Sequence, residues 1–503
     1  MRQDNAFRKA VMSVAMLAAA ACFTLQAIAQ ERPVTDRRIA DAVEDEFLVD
    51  RAVPLNEVDV SVNDGVVTLE GSVSNVLARE RAARVAETVK GVVSVVNLIT
   101  VEPYWNRQDW EIENDVAEAL LYDTATESWE IDVEVTDNRA VLSGTVESFQ
   151  EKQLAAKVTK GVRGVKDVEN NIDVDYETDR PDEEIASEIE SALRWDRRVD
   201  DALIDVAVDD GEVTLSGVVG SSAERRVARE DAWVAGVVEV DTSDLDVERW
   251  ARDEDLRVDK YTDKSDSAIE TAVEEALVYD PRVGSYNVNV DVDAGIATLR
   301  GEVDNLDAKR AAESVARRTV GVVAVKNRIK VRPEPVTDRE IAQNVQEALA
   351  RDPYVERFDI SVSVSDGTVY LRGSVDSYFE KSQADNIASR AEGVVAVRNN
   401  LTVERPRYPM TYDPYTYDQY PYEDEWYDYE PPYTFRSDAQ IKENIQSEFF
   451  WSPFVDGGDI DVSVKTGVAT LEGTVDSISE RQAATENAYE GGATWVENEL
   501  EVE

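Results

Sequence analysis

The chain has 503 residues, of which 105 are acidic and 53 basic, so its formal net charge at pH 7 is −52. That charge excludes nucleic acid from the predicted partners, because phosphate backbones bind to basic surfaces that release counterions. The chain has no histidine, which excludes the usual catalytic triads, histidine-based proton transfer and histidine-ligated metals. We predict no catalytic residue, no metal site and no cofactor.

The first 29 residues have the pattern of a secretory signal peptide. Arg2 and Lys9 lie at the start, residues 10–25 are small and apolar, and an Ala-x-Ala motif ends at Ala29. We predict cleavage after Ala29, since a basic start, an apolar stretch and a small-residue site direct secretion in that order. Cys22, the single cysteine of the chain, leaves open the alternative of lipoprotein processing at that residue.

One pattern then occurs six times, as in residues 56–73, where two alternating strands flank a tight turn. A glycine lies near the end of each second strand, at Gly71, Gly144, Gly217, Gly301, Gly373 and Gly473. The turn itself contains Gly65, Asn138, Gly211, Gly295, Gly367 or Gly467. A third landmark follows at Gly91, Gly164, Gly236, Gly321, Gly393 and Gly492. Landmarks that repeat at fixed spacing indicate a tandem array of small domains.

Each unit reads as helix, hairpin, helix and strand. In the fifth unit Ile341, Val345 and Leu349 recur at helical spacing before the hairpin. A right-handed crossover would place the last strand parallel to the second. We predict an α/β fold of the two-layer α+β type, with α-β-β-α-β domains that each have a three-stranded mixed sheet and two helices on one face. We interpret the strand glycine as a position that admits a helix close to the sheet, and the third landmark as a helix cap.

The predicted domains, called copies 1 to 6 below, span residues 33–103, 107–176, 180–249, 265–333, 335–405 and 436–503. Two linkers separate some of them, at residues 250–264 and 406–435. The second linker is acidic and rich in tyrosine and proline, a composition typical of extended, solvated spacers. A segment that stacks on sugars or in another protein's groove is the alternative.

The repeated pattern resembles the BON domain family of OsmY-like periplasmic proteins. In copy 5 the resemblance rests on Ile341, Val345, Leu349, Asp366, Gly367, Leu371, Gly373, Val375, Gly393, Val394, Val397 and Asn399. Thr242 in copy 3 and Trp495 in copy 6 depart from the family pattern, so we expect altered last strands there. The resemblance implies residence in the bacterial periplasm, no enzymatic activity, attachment to phospholipid membranes and support of the envelope under osmotic or similar stress.

The predicted partner is therefore a phospholipid or envelope surface, with other proteins also possible. Copy 4 has the densest basic clusters, and its candidate membrane-contact residues are Lys309, Arg310, Arg317, Arg318, Lys326, Arg328 and Lys330. Such residues could instead be solvated outer faces paired with neighbouring acids. A periplasmic chaperone of the holdase type, or a protein-interaction scaffold, is the alternative function. An enzyme is disfavoured because no set of carboxylates recurs beyond those at turns and caps.

Overall fold

A computed structural model describes residues 34–49, 53, 58–103, 107–126, 131–175, 180–248, 251, 264–280, 282–284, 286–356, 358–376, 378–403, 437–452, 455–475, 478–493 and 495–502. The first helices of copies 1 to 6 are Asp36–Val49, Asp109–Tyr122, Asp182–Trp195, Asp266–Tyr279, Asp338–Arg351 and Asp438–Trp451. The second helices are Val76–Glu87, Phe149–Lys160, Ser222–Asp231, Leu306–Arg318, Tyr378–Arg390 and Ile478–Glu490. Each copy thus contains the two helices predicted for it.

Three strands, in places interrupted, complete each copy. The hairpins are Val58–Asn63 with Val66–Val73, Ile131–Thr136 with Arg139–Val146, Ile204–Asp209 with Glu212–Val219, Asn289–Asp293 with Ile296–Arg300 and Glu302–Val303, Ser361–Ser365 with Thr368–Val375, and Ile460–Lys465 with Val468–Val475. The last strands are Ser94–Asn97 with Thr100–Val101, Asp167–Val174, Glu239–Val247, Ala324–Asn327 with Lys330–Val331, Ala396–Val403 and Trp495–Val502.

The strand pairing confirms the predicted topology. In copy 5 the hairpin is antiparallel, with Val362 opposite Leu371, and the last strand is parallel to the second, with Val397 beside Val369. The same order recurs in the other copies, so the second strand is central and the last strand lies at an edge of its sheet. Alternation along the strands turns one row of apolar side chains toward the helices. Val369 and Leu371 are accordingly fully buried.

A carboxylate clamps every hairpin turn to the first helix. Asp338, the first residue of its helix, accepts hydrogen bonds from the amides of Asp366 and Gly367, both at 3.0 Å. The equivalent aspartates of the six copies are Asp36, Asp109, Asp182, Asp266, Asp338 and Asp438. Each is 29 residues before its turn residue. Sequence reasoning missed this contact, although the constant separation was the signal for it.

The glycines differ from their predicted roles. A Cβ on Gly473 would lie 2.0 Å from the backbone oxygen of Asp459, and its φ is +135°. Glycine is therefore required at this position because of its positive φ and because a Cβ would clash with the backbone of the neighbouring strand. The prediction that a helix lies close to this glycine is wrong. The close helix lies at the third landmark, where a Cβ on Gly393 would be 2.9 Å from Cδ1 of Ile341. Gly393 does not cap the second helix, which ends at Arg390.

An asparagine fastens each regular last strand to the second helix. In copy 4 the side chain of Asn327 donates to the backbone oxygen of Lys309 at 2.8 Å. Copy 3 has Thr242 at this position, and its last strand has a bulge between Asp241 and Asp244, which confirms the expected alteration. In copy 6 the expectation is wrong, because the last strand pairs without a shift in register and Asn498 keeps the helix contact at 2.9 Å.

The copies dock in pairs through one repeated backbone contact. In one copy, the backbone N–H of the residue just before the third-landmark glycine donates a hydrogen bond. The acceptor is the carbonyl oxygen of the residue that ends the first helix of another copy. The three contacts are Val320 to Trp195 at 2.9 Å, Lys90 to Trp451 at 3.1 Å and Arg163 to Arg351 at 2.8 Å. They join copy 4 to copy 3, copy 1 to copy 6 and copy 2 to copy 5. The chain therefore folds back on itself as nested pairs.

A short antiparallel bridge accompanies this docking contact. Asp196 bridges to Thr319 between copies 3 and 4, and Asp123 bridges to Ala391 between copies 2 and 5. Copies 2 and 5 thus contact each other in both directions, which gives that pair a local twofold relationship. Because backbone groups supply these bonds, the bonds themselves do not depend on the identity of a side chain.

Side chains also join neighbouring pairs. The joining contacts are Phe149 stacked on Trp233 with ring centroids 3.5 Å apart, Arg226 with Glu87 at 2.8 Å, Lys160 with Glu80 at 2.6 Å, and Arg310 with Asp385 at 2.7 Å. They link copies 2 and 3, 1 and 3, 1 and 2, and 4 and 5, respectively. The second helix of copy 6 packs against that of copy 4. The six domains are consequently connected into one assembly within the chain.

Candidate functional site

Three of the seven candidate membrane-contact residues form an exposed row. Lys326 and Lys330 lie on the two segments of the last strand of copy 4, Arg328 lies in the interruption between them, and all three are exposed. Ile329, between Arg328 and Lys330, is buried, so the three side chains face away from the core, as in a regular strand in which every second residue points the same way. None of the three forms an ion pair with another described residue. We call this row the basic strand.

The other four candidates lie on the second helix of copy 4 in different surroundings. Arg310 pairs with Asp385 of copy 5, and their side chains are only 17% and 7% exposed. Arg317 pairs with Glu313 one helical turn away at 2.8 Å. Arg318 faces the interior between copies, and Lys309 is half-buried. The structure does not bring all seven residues to one surface.

The basic strand occupies a position whose chemistry differs from copy to copy. The equivalent exposed residues are Val96, Leu98 and Thr100 in copy 1, Glu169, Asn171 and Asp173 in copy 2, Arg398, Asn400 and Thr402 in copy 5, and Glu497, Glu499 and Glu501 in copy 6. One position in the fold is therefore apolar in copy 1, basic in copy 4 and acidic in copy 6. Such variation on a constant scaffold is typical of surfaces with separate binding partners.

A cavity of about 1330 Å³ lies where copies 1 to 5 meet. Its wall includes residues of the docking contacts, among them Trp195, Thr319 and Arg351. Of the described residues that line it, 12 are lysine or arginine and 10 are aspartate or glutamate. Arg84 and Arg229, on the second helices of copies 1 and 3, are in this wall. We call this space the interior cavity.

Buried ion pairs form part of the cavity wall between copies 3 and 4. Arg198 donates from Nε to Asp196 at 2.9 and 3.0 Å, and it also faces Asp231 at 3.8 Å. In copy 4 Arg282 pairs with Asp280 at 2.9 Å, and the two side chains are 7% and 2% exposed. Charges this deep in a protein are tolerated when they are paired and hydrogen-bonded, as these are.

Burial and neighbouring charges shift the pKa values of acids in this wall. Burial raises the pKa of Asp231 well above its ordinary value, and the neighbouring Asp196 carboxylate raises it further. Burial also disfavours the ionised form of Asp196, but the charge and hydrogen bonds of Arg198 outweigh it and lower the pKa. At the seam between copies 2 and 5, burial raises the pKa of Asp352 to about 6. Burial thus raises the pKa of Asp231 and Asp352, whereas the paired arginine keeps that of Asp196 low.

Several sequence-based predictions lie outside the described residues. They are the signal peptide at residues 1–29, its cleavage after Ala29, the alternative at Cys22, and the linker at residues 406–435. Nearly all of the linker at residues 250–264 also lies outside them. In the part of the chain that the structure describes, no helix is long and apolar enough to cross a membrane, and no three acidic or cysteine side chains converge as a metal site would require.

The chain matches one known domain family in all six copies. The model of the BON domain matches residues 35–103, 108–176, 181–249, 265–333, 337–405 and 437–503. Osmotically-inducible protein Y of Escherichia coli (strain K12) is 31% identical over 143 residues, which are 27% of this chain and 71% of that protein. Outer membrane lipoprotein DolP of Haemophilus influenzae is 30% identical over 142 residues, 27% of this chain and 73% of that protein.

Among solved structures, CdsD, a structural protein of the type III secretion system of Chlamydia trachomatis, matches 41% of this chain and 91% of its own. Its sequence identity is 16% and its TM-score is 0.12. The family assignment rests instead on the six domain matches, which together cover most of the chain and coincide with the six α-β-β-α-β units. The chain therefore belongs to the BON domain family and contains six tandem copies of that domain.

Proposed function

We propose that this protein is a non-enzymatic periplasmic protein that attaches to anionic phospholipid at the envelope surface and supports the envelope under osmotic or related stress. The observation that carries the proposal is the basic strand, formed by Lys326, Arg328 and Lys330 of copy 4. In a chain with a net charge of −52, it is a row of exposed cations without carboxylate partners among the described residues.

The length of the basic strand would allow its three side chains to contact lipid headgroups together. With a rise of about 3.3 Å per residue, its three side chains extend over roughly 13 Å of one sheet edge. Each basic residue near an anionic membrane contributes about 1 kcal/mol to binding. The remaining surface is acidic and repels the same membrane, so binding should depend on orientation. High salt should weaken binding, because it screens the attraction between the exposed cations and the anionic lipid.

The relatives support the envelope part of the proposal. One is named as osmotically inducible and another as an outer membrane lipoprotein. The amino-terminal pattern of residues 1–29 is typical of a signal for export, which agrees with a periplasmic location. Binding rather than catalysis fits a chain that has no histidine.

Liposome co-sedimentation tests the proposal. The triple variant Lys326→Gln, Arg328→Gln and Lys330→Gln should bind vesicles of phosphatidylglycerol and phosphatidylethanolamine about 100-fold more weakly, since three contacts correspond to roughly 3 kcal/mol. Arg372→Gln, Arg398→Gln and Lys465→Gln form the matched control, because they remove three exposed basic charges from copies 5 and 6. That control should bind almost as well as the unchanged chain.

The same assay separates the alternative of a holdase. If the unchanged chain does not pellet with anionic vesicles at any salt concentration, the membrane proposal is wrong. Equal loss of binding in both triple variants would mean that net charge matters and the basic strand does not. Suppression of aggregation of an unfolded client protein without lipid, together with no vesicle binding, would favour the holdase.

A further inference from the structure

We infer that the interior cavity is a second binding site, which takes one small anionic amphiphile with a single apolar chain. It differs from the surface site proposed above in place and in residues, and it does not depend on membrane attachment. The inference rests on the location, charge and apolar lining of the cavity.

The location is typical of ligand sites. Pockets form preferentially between domains, and common sizes are about 300–1,000 Å³. The interior cavity, at about 1330 Å³, is large enough for a fatty-acid-sized molecule. Its walls come from five copies, and docking contacts such as that of Arg163 with Arg351 hold those walls together. The space is therefore a consequence of docking and is absent from a single copy.

The charge of the lining differs from that of the chain. Basic residues outnumber acidic ones in the wall by 12 to 10, whereas acidic residues outnumber basic ones in the whole chain by 105 to 53. Many of these charges are paired with each other, as Arg198 is with Asp196, so the lining is close to neutral and repels an anion much less than the acidic outer surface does. A low-dielectric wall strengthens the attraction of an anion to a nearby cation relative to water.

One group of cations is especially suited to an anionic head. Arg81 and Arg84 lie one turn apart on the second helix of copy 1, and Arg229 of copy 3 lines the same space. Arg84 shares Glu80 with Lys160, at 3.8 Å and 2.6 Å respectively. The Arg84 side chain is 29% exposed and lines the cavity, and a guanidinium can bind a carboxylate or sulfate through several N–H donors.

The other requirement, an apolar wall, is met by side chains of copies 2, 3 and 5. Phe149 and Trp233 stack with ring planes 8° apart, and both line the cavity. Leu154, Phe379 and Ile387 extend the apolar surface. Aromatic and aliphatic side chains with a few placed charges are the usual composition of a site for an amphiphilic ligand.

Isothermal titration calorimetry of the full chain, with probes kept below their micelle concentrations, tests the inference. Dodecanoate should bind with a stoichiometry of one per chain. Dodecyl maltoside, dodecyltrimethylammonium and inorganic phosphate should each bind at least tenfold more weakly, because each lacks the negative charge or the apolar chain. Equal binding of all probes, or no binding of dodecanoate, would overturn the inference. Tight binding of phosphate alone would also overturn it, since it indicates a plain anion site.

Variants test whether dodecanoate binds in the interior cavity. Arg81→Gln with Arg84→Gln should weaken dodecanoate binding at least tenfold, whereas Arg300→Gln with Arg372→Gln removes the same charge from outer strands and should leave it unchanged. Leu154→Trp, which adds bulk to the apolar part of the lining, should also weaken dodecanoate binding at least tenfold, and it tests the inference if the arginine variant does not fold. Unchanged dodecanoate affinity in Leu154→Trp would overturn the inference. Liposome binding by Leu154→Trp should stay normal, so failure of one proposal is distinct from failure of the other.

Discussion

The basic residues of the interior cavity and those of the basic strand have opposite surroundings. Arg198 is 5% exposed and hydrogen-bonded to Asp196, whereas Arg328 is exposed on a sheet edge. In the sequence Arg198 lies among aspartates and Arg328 among basic residues, and neither context indicates which of the two is buried. The difference arises from docking, which places one group between copies and leaves the other outside. The chain thus combines a charged interior seam with surface strands that vary among copies.

The strongest test of this contrast is to neutralise one arginine of each kind. Arg198→Gln should lower the free energy of unfolding by about 3–5 kcal/mol, because it leaves the buried Asp196 without its partner. Arg328→Gln should change it by less than about 0.5 kcal/mol, as exposed substitutions usually do. Chemical denaturation followed by tryptophan fluorescence measures both variants. Similar losses in the two would mean that the two arginines do not differ in burial.

Glu486, a buried acid on the second helix of copy 6, extends the contrast between buried and exposed charges, because its burial should make the stability of the chain depend on pH. Burial raises the pKa of Glu486 to about 8, against an ordinary 4.5. The folded chain therefore keeps a proton that the unfolded chain releases, so stability should fall as pH rises from about 4.5 to 8. Glu486→Gln should remove this fall and be more stable at pH 9, by on the order of 3 kcal/mol.

Thermal unfolding at several pH values measures the effect of Glu486→Gln. Glu497→Gln, on the exposed last strand of the same copy, is the control and should follow the unchanged chain. A Glu486→Gln variant with the pH profile of the unchanged chain would contradict the assigned burial.

The side-chain packing between copies 3 and 4 is tested at Trp195. Its half-buried side chain packs against the core of copy 4, so Trp195→Ala should weaken docking of copies 3 and 4 by about 2 kcal/mol, less than the loss for a fully buried tryptophan. Trp110, which is 63% exposed, provides the control variant Trp110→Ala. Unfolding of the first variant should divide into separate steps. A single unchanged transition would show that copies 3 and 4 do not stabilise each other.

The smallest effect concerns a contact within one copy. Asp338→Ala removes the two hydrogen bonds to the turn at Asp366 and Gly367 and should destabilise copy 5 by about 1 kcal/mol, as is usual for exposed bonds of this kind. Asp338→Asn keeps one acceptor oxygen and should lose less. Amide hydrogen exchange at the turn measures both. Equal exchange in all three proteins would show that the clamp contributes nothing.

The sequence predicted the contents of each copy because its landmarks are local. Alternation around Leu371, helical spacing around Ile341 and a left-handed turn at Gly367 all act over a few residues. The contacts between copies join residues far apart in the chain, such as Lys90 and Trp451. They use backbone groups that carry no sequence signal. The fold of a copy was therefore predictable, whereas the docking, the interior cavity and the separation of basic residues were not.

The strand glycine shows a second limit of sequence reasoning. Its recurrence marked it as structurally necessary, and alternation placed it in the row facing the helices. The actual cause, a φ of +113° to +154° beside the neighbouring strand's backbone, interrupts that alternation locally. A period-two pattern assumes regular strand geometry, so it could not reveal the interruption.

Small-angle X-ray scattering of the full chain tests most directly the central claim, that the six copies dock into one assembly. A compact chain of this length has a radius of gyration of about 23 Å, and the nested pairs predict a value much closer to it than to twice that length. Arg198→Gln and Trp195→Ala should raise the value, while Arg328→Gln should not. A radius approaching twice the compact value in the unchanged chain, with scattering typical of separate beads, would contradict docking and remove the interior cavity with it.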